Sequence, residues 1–314
     1  MTSVQTAGNS GELPAVSTIQ IDESDMMECW HIANMWSTPP ETLVQLAKHR
    51  DWLVRDAVAW NKNTPSDTLA MLSEDRHKRV RSGVATNPNT PSDVLTKLAT
   101  ADIPVVRSAA VLNKNITQEL LLRMSKDRSQ KVLWTVACSL ETPPEALARL
   151  AKHTHPSIRQ AVAHNLSTSP DTLAELANDT DVWICEEVAS NSSTPPETLA
   201  QLALDKRMMI QDAVAGNKST SPDTLAQLVA CEYARRSCAH NAHTPPEALA
   251  QLANDKDSTV RWGVVKNPNT PPSVLAQLVN DENEDIREAA IKGLPAQETT
   301  ETSISSSTVS MDLG

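Results

Sequence analysis

Residues 142–165 read TPPEALARLAKHTHPSIRQAVAHN, and this segment contains the features that decide the fold. Its first leucine belongs to a series that recurs every 26 residues: Leu43, Leu69, Leu95, Leu121, Leu147, Leu173, Leu199 and Leu225, followed by Leu249 and Leu275. A spacing of this length is typical of repeat proteins, in which each repeat is one supersecondary unit stacked on the next. The chain is therefore predicted to be a tandem array of ten repeats.

The first half of the segment predicts a short helix. Thr142 is suited to the N-cap, proline to the first helical position and Glu145 to closing a capping box. Leu147, Leu150 and Ala151 follow at the i, i+3 and i+4 spacing that gives one buried stripe.

The second half predicts another helix, of the pattern V-R-x-x-V-A-x-N. At about 100° per residue, its first, fourth, fifth and eighth places fall on one buried face, while the third and seventh places point outward. The closing asparagine, Asn165 in this repeat, is suited to a left-handed C-cap and a tight return of the chain.

The combined pattern, T-P-x-x-L-x-x-L-A-x-D followed by V-R-x-x-V-A-x-N, resembles the leucine-rich repeat variant family over roughly residues 26–293. Its second half is also similar to HEAT-like repeats. The resemblance implies an all-α, right-handed solenoid of about ten repeats, each with one α-helix and one 3₁₀-helix, and no β-sheet. One member type carries an iron–sulfur centre on an N-terminal cysteine cluster. This chain has only Cys29 in that region, so no cofactor is expected.

The two ends differ in composition from the array. Residues 1–24 and 294–314 are rich in Ser and Thr and are predicted to be disordered, which leaves residues 25–293 as the solenoid. Asp25–Met35 resembles a degenerate half-repeat and is expected to cap the array. The single short interval, 24 residues between Leu225 and Leu249, predicts a local bend around Cys231–Arg236.

Membrane insertion and secretion are not indicated by the sequence. No stretch approaches the roughly 18 apolar residues of a membrane helix, and no basic segment precedes a hydrophobic run at the N-terminus. The five cysteines have no C-x-x-C spacing, so neither a disulfide framework nor a zinc site is expected. We therefore expect a cytoplasmic protein with reduced thiols, no metal and no membrane partner.

An arginine recurs at the second place of the second helix: Arg55, Arg81, Arg107, Arg159, Arg235, Arg261 and Arg287. These residues could form a phosphate-binding row. Acids just upstream, such as Asp51, Asp75, Asp102, Asp257 and Asp281, instead favour a structural ladder of ion pairs and carbonyl bonds between repeats. The ladder should be interrupted where other residues take this place, at Leu133, Cys185 and Gln211.

The outward third and seventh places differ among repeats whose buried places barely change. They supply the candidate partner-binding residues: Trp60, Trp134, His164, His240, Trp262 and Lys266. Tryptophan is enriched among interface hot spots, which makes the three indoles candidate anchors. The alternative is that each indole lies flat over a neighbouring repeat.

The pattern therefore predicts a non-enzymatic scaffold that binds a protein partner along an extended surface, with no catalytic residues. An alternative is nucleic-acid binding by residues 37–128, whose net charge is +4, through the clusters Arg76–Arg81 and Arg123–Lys131. A third possibility is a HEAT-like enzyme acting on damaged bases, which needs a carboxylate between aromatic rings. Asp56 with Trp52 and Trp60 is the local set of that kind, and capping of the array explains it equally well.

Overall fold

A computed structural model describes residues 25–294, which form 21 α-helices and no strand. Long and short helices alternate along the chain. The long helices are α1 (Met26–Asn34), α3 (Trp52–Trp60), α5 (Lys78–Thr86), α7 (Pro104–Val111), α9 (Gln130–Cys138), α11 (Pro156–His164), α13 (Val182–Ser190), α15 (Met208–Gly216), α17 (Arg235–His240), α19 (Ser258–Lys266) and α21 (Glu284–Gly293). The short helices are α2 (Pro40–Leu46), α4 (Ser66–Leu72), α6 (Ser92–Leu98), α8 (Gln118–Met124), α10 (Pro144–Leu150), α12 (Pro170–Leu176), α14 (Pro196–Ala203), α16 (Pro222–Leu228), α18 (Pro246–Leu252) and α20 (Pro272–Leu278).

The chain divides into two compact units, residues 1–136 and 137–314, with the division inside α9. In each unit, a long helix packs beside the long helix of the next repeat, and the short helices contact the long helices that flank them. The predicted all-α array of tandem helical repeats is confirmed. The long and the short helices are both α-helices, and 3₁₀-type bonds occur at helix ends, such as Lys48 N–H to Gln45 O after α2 and Val106 N–H to Ile103 O at the start of α7.

The core is a thin layer of aliphatic side chains. All ten leucines of the series are buried, from 0% exposure at Leu43 to 7% at Leu275. Val54, Val58 and their equivalents complete the layer from the long helices. Each short helix has only two turns, so it depends on this shared apolar contact rather than on its own helix propensity.

The threonine in the Thr-Pro or Thr-Ser pair before a short helix does not cap that helix, so the predicted capping box is wrong. The N-cap is the following residue, for example Pro65 after Thr64 and Ser169 after Thr168. In the repeat where this following residue is itself a threonine, Thr117 caps α8 and accepts from Leu120 N. The Thr64 hydroxyl instead donates to the carbonyl of Val58, 2.6 Å away, in the preceding long helix. Val58 O also accepts from Asn61 N–H at 3.1 Å, so the hydroxyl adds a second hydrogen bond to a carbonyl at the end of that helix.

An asparagine follows eight of the eleven long helices, and it connects successive repeats. Its Nδ2 donates to two backbone carbonyls of the preceding repeat at 2.7–3.1 Å, at Asn61, Asn87, Asn113, Asn165, Asn191, Asn217, Asn241 and Asn267. The predicted left-handed conformation is wrong, because no described residue has a positive φ. An extended backbone places the buried amide where it satisfies two carbonyls that water does not reach.

The repeat that contains Cys231 is two residues shorter than the others, and its long helix is the element that is shortened. Helix α17 has six residues, whereas its neighbours α15 and α19 have nine. Asn241 still donates to Ala215 O at 2.8 Å and to Asn217 O at 2.9 Å. The asparagine bonds between repeats therefore continue through the place where a local bend was predicted.

The ends of the array are closed by helices α1 and α21. Helix α1 occupies the predicted N-terminal half-repeat, packs on α3 and is capped by Asp25, whose carboxylate accepts from Met27 N and Glu28 N. Leu294 ends α21. Residues 1–24 and 295–314, predicted to be disordered, lie outside the described residues. Within the described range, every helix is too short or too polar to span a bilayer.

Candidate partner-binding surface

Within each compact unit, the third and seventh residues of successive long helices lie side by side, because these helices pack against one another. We call this set the variable row. Its tryptophans differ in exposure: Trp60 is 55% exposed and Trp134 is 48% exposed, whereas Trp262 is half-buried. The three indoles of the row therefore differ in solvent exposure and do not form a continuous apolar stripe.

Three of the six candidate residues lie together in the second compact unit. Trp262 lines a cavity of about 280 Å³ whose wall also includes His240, Arg236 and Ile286, from α17 and α21. The Lys266 ammonium lies 4.7 Å from the centroid of the Trp262 ring, at cation–π distance. Arg236 and His240 of α17 lie beside α19, so the cavity draws on three consecutive repeats.

This cavity combines an apolar wall with charged groups. The indole of Trp262 and the side chain of Ile286 supply the apolar part, while Arg236 and Asp285 supply opposite charges. The Nδ1 atom of His240 lies 2.9 Å from the carbonyl oxygen of Arg236, which orients the imidazole. Such a site can hold one apolar or aromatic side chain and pair with charges beside it.

Trp60 contacts the next repeat. A β-carbon added at Gly83 of α5 would lie 3.1 Å from Trp60 Cδ1, so the indole lies against the glycine. Its remaining surface lines a cavity of about 410 Å³ with Trp36, Asn34 and Lys62. For Trp60, the geometry therefore matches the alternative interpretation, in which the indole covers a neighbouring repeat.

The carboxylate beside Trp60 is poorly solvated. Burial raises the pKa of Asp56, and its Oδ1 atom is buried without a hydrogen-bond partner among the described residues. The Trp52 ring stacks on His77 at 3.9 Å, and the Arg79 guanidinium lies 5.7 Å from the Trp52 centroid. The face of Trp52 that meets His77 is therefore not free to stack on another ring.

The two remaining candidates occupy separate places. The Nδ1 atom of His164 lies 2.9 Å from a carboxylate oxygen of Glu187 in the next repeat. Trp134 lies in α9 and is half exposed to solvent. The sequence-based set is thus one cluster, His240 with Trp262 and Lys266, and three dispersed residues.

Five of the seven ladder arginines form ion pairs between repeats. The acid lies 20 residues after the arginine in each: Arg55–Asp75, Arg107–Asp127, Arg159–Asp179, Arg235–Asp255 and Arg261–Asp281. In four of them Nε and Nη2 bind both carboxylate oxygens, at 2.5–3.1 Å. The fifth, Arg235, uses Nη1 at 3.2 Å.

Two of the five acids named from the sequence, Asp75 and Asp281, are ion-pair partners, each of the arginine in the preceding repeat. Asp51 and Asp257 instead cap helices, accepting from Leu53 N and Thr259 N. The residues upstream of each arginine supply backbone carbonyls to Nη1, as Ala101 does for Arg107 at 2.8 Å. The acid just upstream of an arginine is therefore not its ion-pair partner, because the partner carboxylate belongs to the next repeat.

At Cys185 the ladder is altered rather than lost. The thiol contacts Asp179 O at 3.2 Å, where other repeats place an arginine. The acid of the next repeat, Asp205, is bound by Arg207 through Nη2 at 2.6 Å and Nε at 3.0 Å. Burial raises the pKa of the Cys185 thiol, so it remains a neutral group in this position.

One exposed aromatic residue was missed by sequence reasoning. Trp183 in α13 is 55% exposed and lies one turn before Glu186 of the variable row. It occupies the place held by Leu53, Arg79 and Lys131 in other repeats. Variation at this place among repeats was the signal that could have identified it.

The chain resembles solved repeat structures. A leucine-rich repeat variant, described as having a novel repetitive structural motif, matches at 21% identity and a TM-score of 0.52, over 70% of this chain and 88% of that one. An engineered protein matches at 16% identity and TM-score 0.38, over 88% and 95% of the two chains. A homology model of the AP-3 complex in an intermediate open conformation matches at 14% and 0.38, over 86% and 54%.

The first of these likenesses shows the fold, which is that of a leucine-rich repeat variant. No family model matches the chain, and no curated protein does.

Proposed function

We propose that this protein is a non-enzymatic scaffold that binds a protein partner along the variable row. The observation that carries the proposal is the Trp262 cavity, where a half-buried indole, Arg236 and His240 line about 280 Å³. These residues occupy places that vary among the repeats, although the buried places around them are nearly constant. Residues that the fold does not require are available for recognition.

The chemistry of the cavity favours a polypeptide partner. Its volume suits a single side chain, and helices in a row suit an extended segment that places several side chains along them. Trp and Arg are the residue types that most often dominate binding energy at protein interfaces. Trp134 supplies a second indole, 48% exposed, on the variable row.

A binding role rather than a chemical one suits the two candidate imidazoles. His164 is held by Glu187 and His240 by a backbone carbonyl, each through Nδ1 at 2.9 Å. We also propose a cytoplasmic location, because all five cysteines are free thiols, as is usual in reducing compartments.

The test is affinity capture from native extract with the double variant Trp134→Ala, Trp262→Ala. We expect it to lose the partner while its helical circular dichroism and melting curve stay unchanged. The matched control is Met71→Ala, Leu204→Ala, which removes two other exposed apolar side chains, 45% and 75% exposed, from short helices and their ends. Full capture by the tryptophan double variant would overturn the proposal.

Nucleic-acid binding is a second candidate, favoured by a basic cavity in the first compact unit. Arg123, Lys126 and Arg128 line about 300 Å³ between the third and fourth repeats, where the nearby Asp127 is already paired with Arg107. Phosphate contacts would make binding fall steeply with salt. Absence of an electrophoretic shift at about 50 mM salt, where phosphate-driven binding is strong, would exclude this candidate.

A further inference from the structure

The arginine at the second place of each long helix and the acid 20 residues later vary together within this chain. At three of the four places where another residue replaces the arginine, the acid is replaced too: Cys29 with His49, Leu133 with His153 and Gln211 with Cys231. The acid that has lost its arginine, Asp205 after Cys185, is bound by Arg207 instead. The repeats therefore avoid leaving either charge of this pair alone.

Arg81 is the exception among the described pairs. The residue 20 places later is Ala101, and no acid forms an ion pair with Arg81 among the described residues. For Arg287 the corresponding place lies outside the described residues. Arg81 is thus a ladder arginine whose carboxylate is replaced by a methyl group.

The guanidinium of Arg81 is nevertheless oriented like those of its paired equivalents. Its Nη1 donates to the carbonyl of Asp75, six residues before it. The same bond, to the carbonyl six residues before, is made by Nη1 of Arg55, Arg107 and Arg261. In Arg55, Arg107 and Arg261 this Nη1 bond accompanies a fork in which Nε and Nη2 hold a carboxylate of the next repeat.

The place opposite Arg81 is reached by solvent and lies near other basic side chains. Arg81 and Ala101 are both partly exposed, as is Arg159 of a complete pair, whereas Arg107 and Arg261 are buried. Lys78 and Arg79 lie in the same helix as Arg81, and the Lys97 ammonium is already paired with Glu74. An arginine fork of this geometry binds a planar carboxylate through two parallel hydrogen bonds.

We propose that Arg81 forms a carboxylate-binding site between the second and third repeats, completed by a carboxylate supplied from outside the chain. The ligand class follows from four equivalent sites, at Arg55, Arg107, Arg159 and Arg261, where the same two nitrogens hold an aspartate. This inference does not depend on the variable row.

The experiment follows arginine side-chain Nε–Hε resonances by NMR while acetate replaces chloride at constant ionic strength. We expect the Arg81 resonance to shift and saturate, and the resonances of Arg55 and Arg107 to stay fixed because their places are filled. In the Ala101→Asp variant the Arg81 response should disappear. In Asp127→Ala, which gives Arg107 the same vacancy, a saturable Arg107 response should appear.

Two results would overturn the proposal. One is an Arg81 shift that grows linearly, without saturation, as that of the exposed Arg76 is expected to do. The other is an Ala101→Asp variant that keeps the wild-type circular dichroism and still shows the wild-type response of Arg81 to acetate.

Discussion

The imidazole of His240 lies against Gly263, so that a β-carbon at residue 263 would stand 2.8 Å from His240 Cε1 and Nδ1. The same β-carbon would lie 2.7 Å from the β-carbon of Ala239. Neighbouring long helices approach closely at this place, and the glycine allows a large seventh-place side chain to lie over the next repeat. Trp60 and Gly83 repeat the arrangement in the first compact unit.

Gly263→Ala should therefore destabilise the protein, although alanine is the better helix former. We expect a loss of about 1–3 kcal/mol, because α17 and α19 must separate to admit the methyl group. Gly216→Ala is the matched control, since a β-carbon there has no atom within 4 Å and should stabilise by up to about 1 kcal/mol. Urea denaturation measures both, and equal effects of the two changes would contradict this account of the contact.

The asparagine bonds predict a larger effect in the same compact unit. Asn191→Ala leaves the carbonyls of Ala163 and Asn165 without their donor, at about 1–3 kcal/mol for each buried group. Asn191→Asp should be no better, because an ionised carboxylate cannot donate. Ser193→Ala removes an exposed bond to Leu166 O and should cost at most about 1 kcal/mol. A cost at Asn191 no greater than at Ser193 would show that these bonds do not hold the repeats together.

The arginine–aspartate pairs predict a dependence of stability on pH. The hydrogen bond from Arg159 lowers the pKa of Asp179, so the folded state favours the ionised carboxylate. The resulting stabilisation is complete above the unfolded pKa of about 3.9 and is lost as pH falls through the lower folded pKa.

Asp179→Asn should accordingly destabilise at neutral pH by about 1–3 kcal/mol, with the difference from wild type shrinking as pH falls below about 4. Denaturation curves at a series of pH values measure this change. The control Asp171→Asn alters an exposed acid in the first turn of α12 and should cost less than about 1 kcal/mol. A deficit for Asp179→Asn that stays constant into acid would refute the ion-pair explanation.

Completing the vacant pair should stabilise the chain. Ala101→Asp places a carboxylate opposite Nε and Nη2 of Arg81, and we expect a gain of about 1 kcal/mol, as for a partly exposed charged hydrogen bond. Thr100→Asp adds the same charge one residue earlier at an exposed position and should have little effect. Thermal melting of the two variants checks the difference, and a gain in both would attribute the effect to net charge instead.

The fold was predictable because the 26-residue leucine series records burial directly. The hydrogen bonds and ion pairs between repeats were harder to predict from the sequence. Local propensity suggested a C-cap for Asn165 and an N-cap for Thr168, whereas both side chains satisfy backbone carbonyls of preceding elements. Asp179 lies 20 residues from Arg159 in sequence and in contact with it in space.

The sequence predicted which positions the candidate site uses, but not how their side chains come together. Counting from each leucine identifies Trp262, His240 and Lys266 as outward residues. The cavity beside Trp262 and His240 also needs Ile286 from the next repeat. Neither the cavity nor the contact of Trp60 with Gly83 follows from one repeat, because each depends on how neighbours stack.

The central claim is that the variable row recognises the partner, and hydroxyl-radical footprinting of the captured complex tests it most directly. Oxidation is measured by mass spectrometry at Trp134 and Trp262 on the row, and at Met71 and Leu204 on short helices and their ends. We predict slower oxidation of the two tryptophans in the complex and unchanged rates at Met71 and Leu204. Protection of Met71 and Leu204 with unchanged tryptophans would contradict the claim.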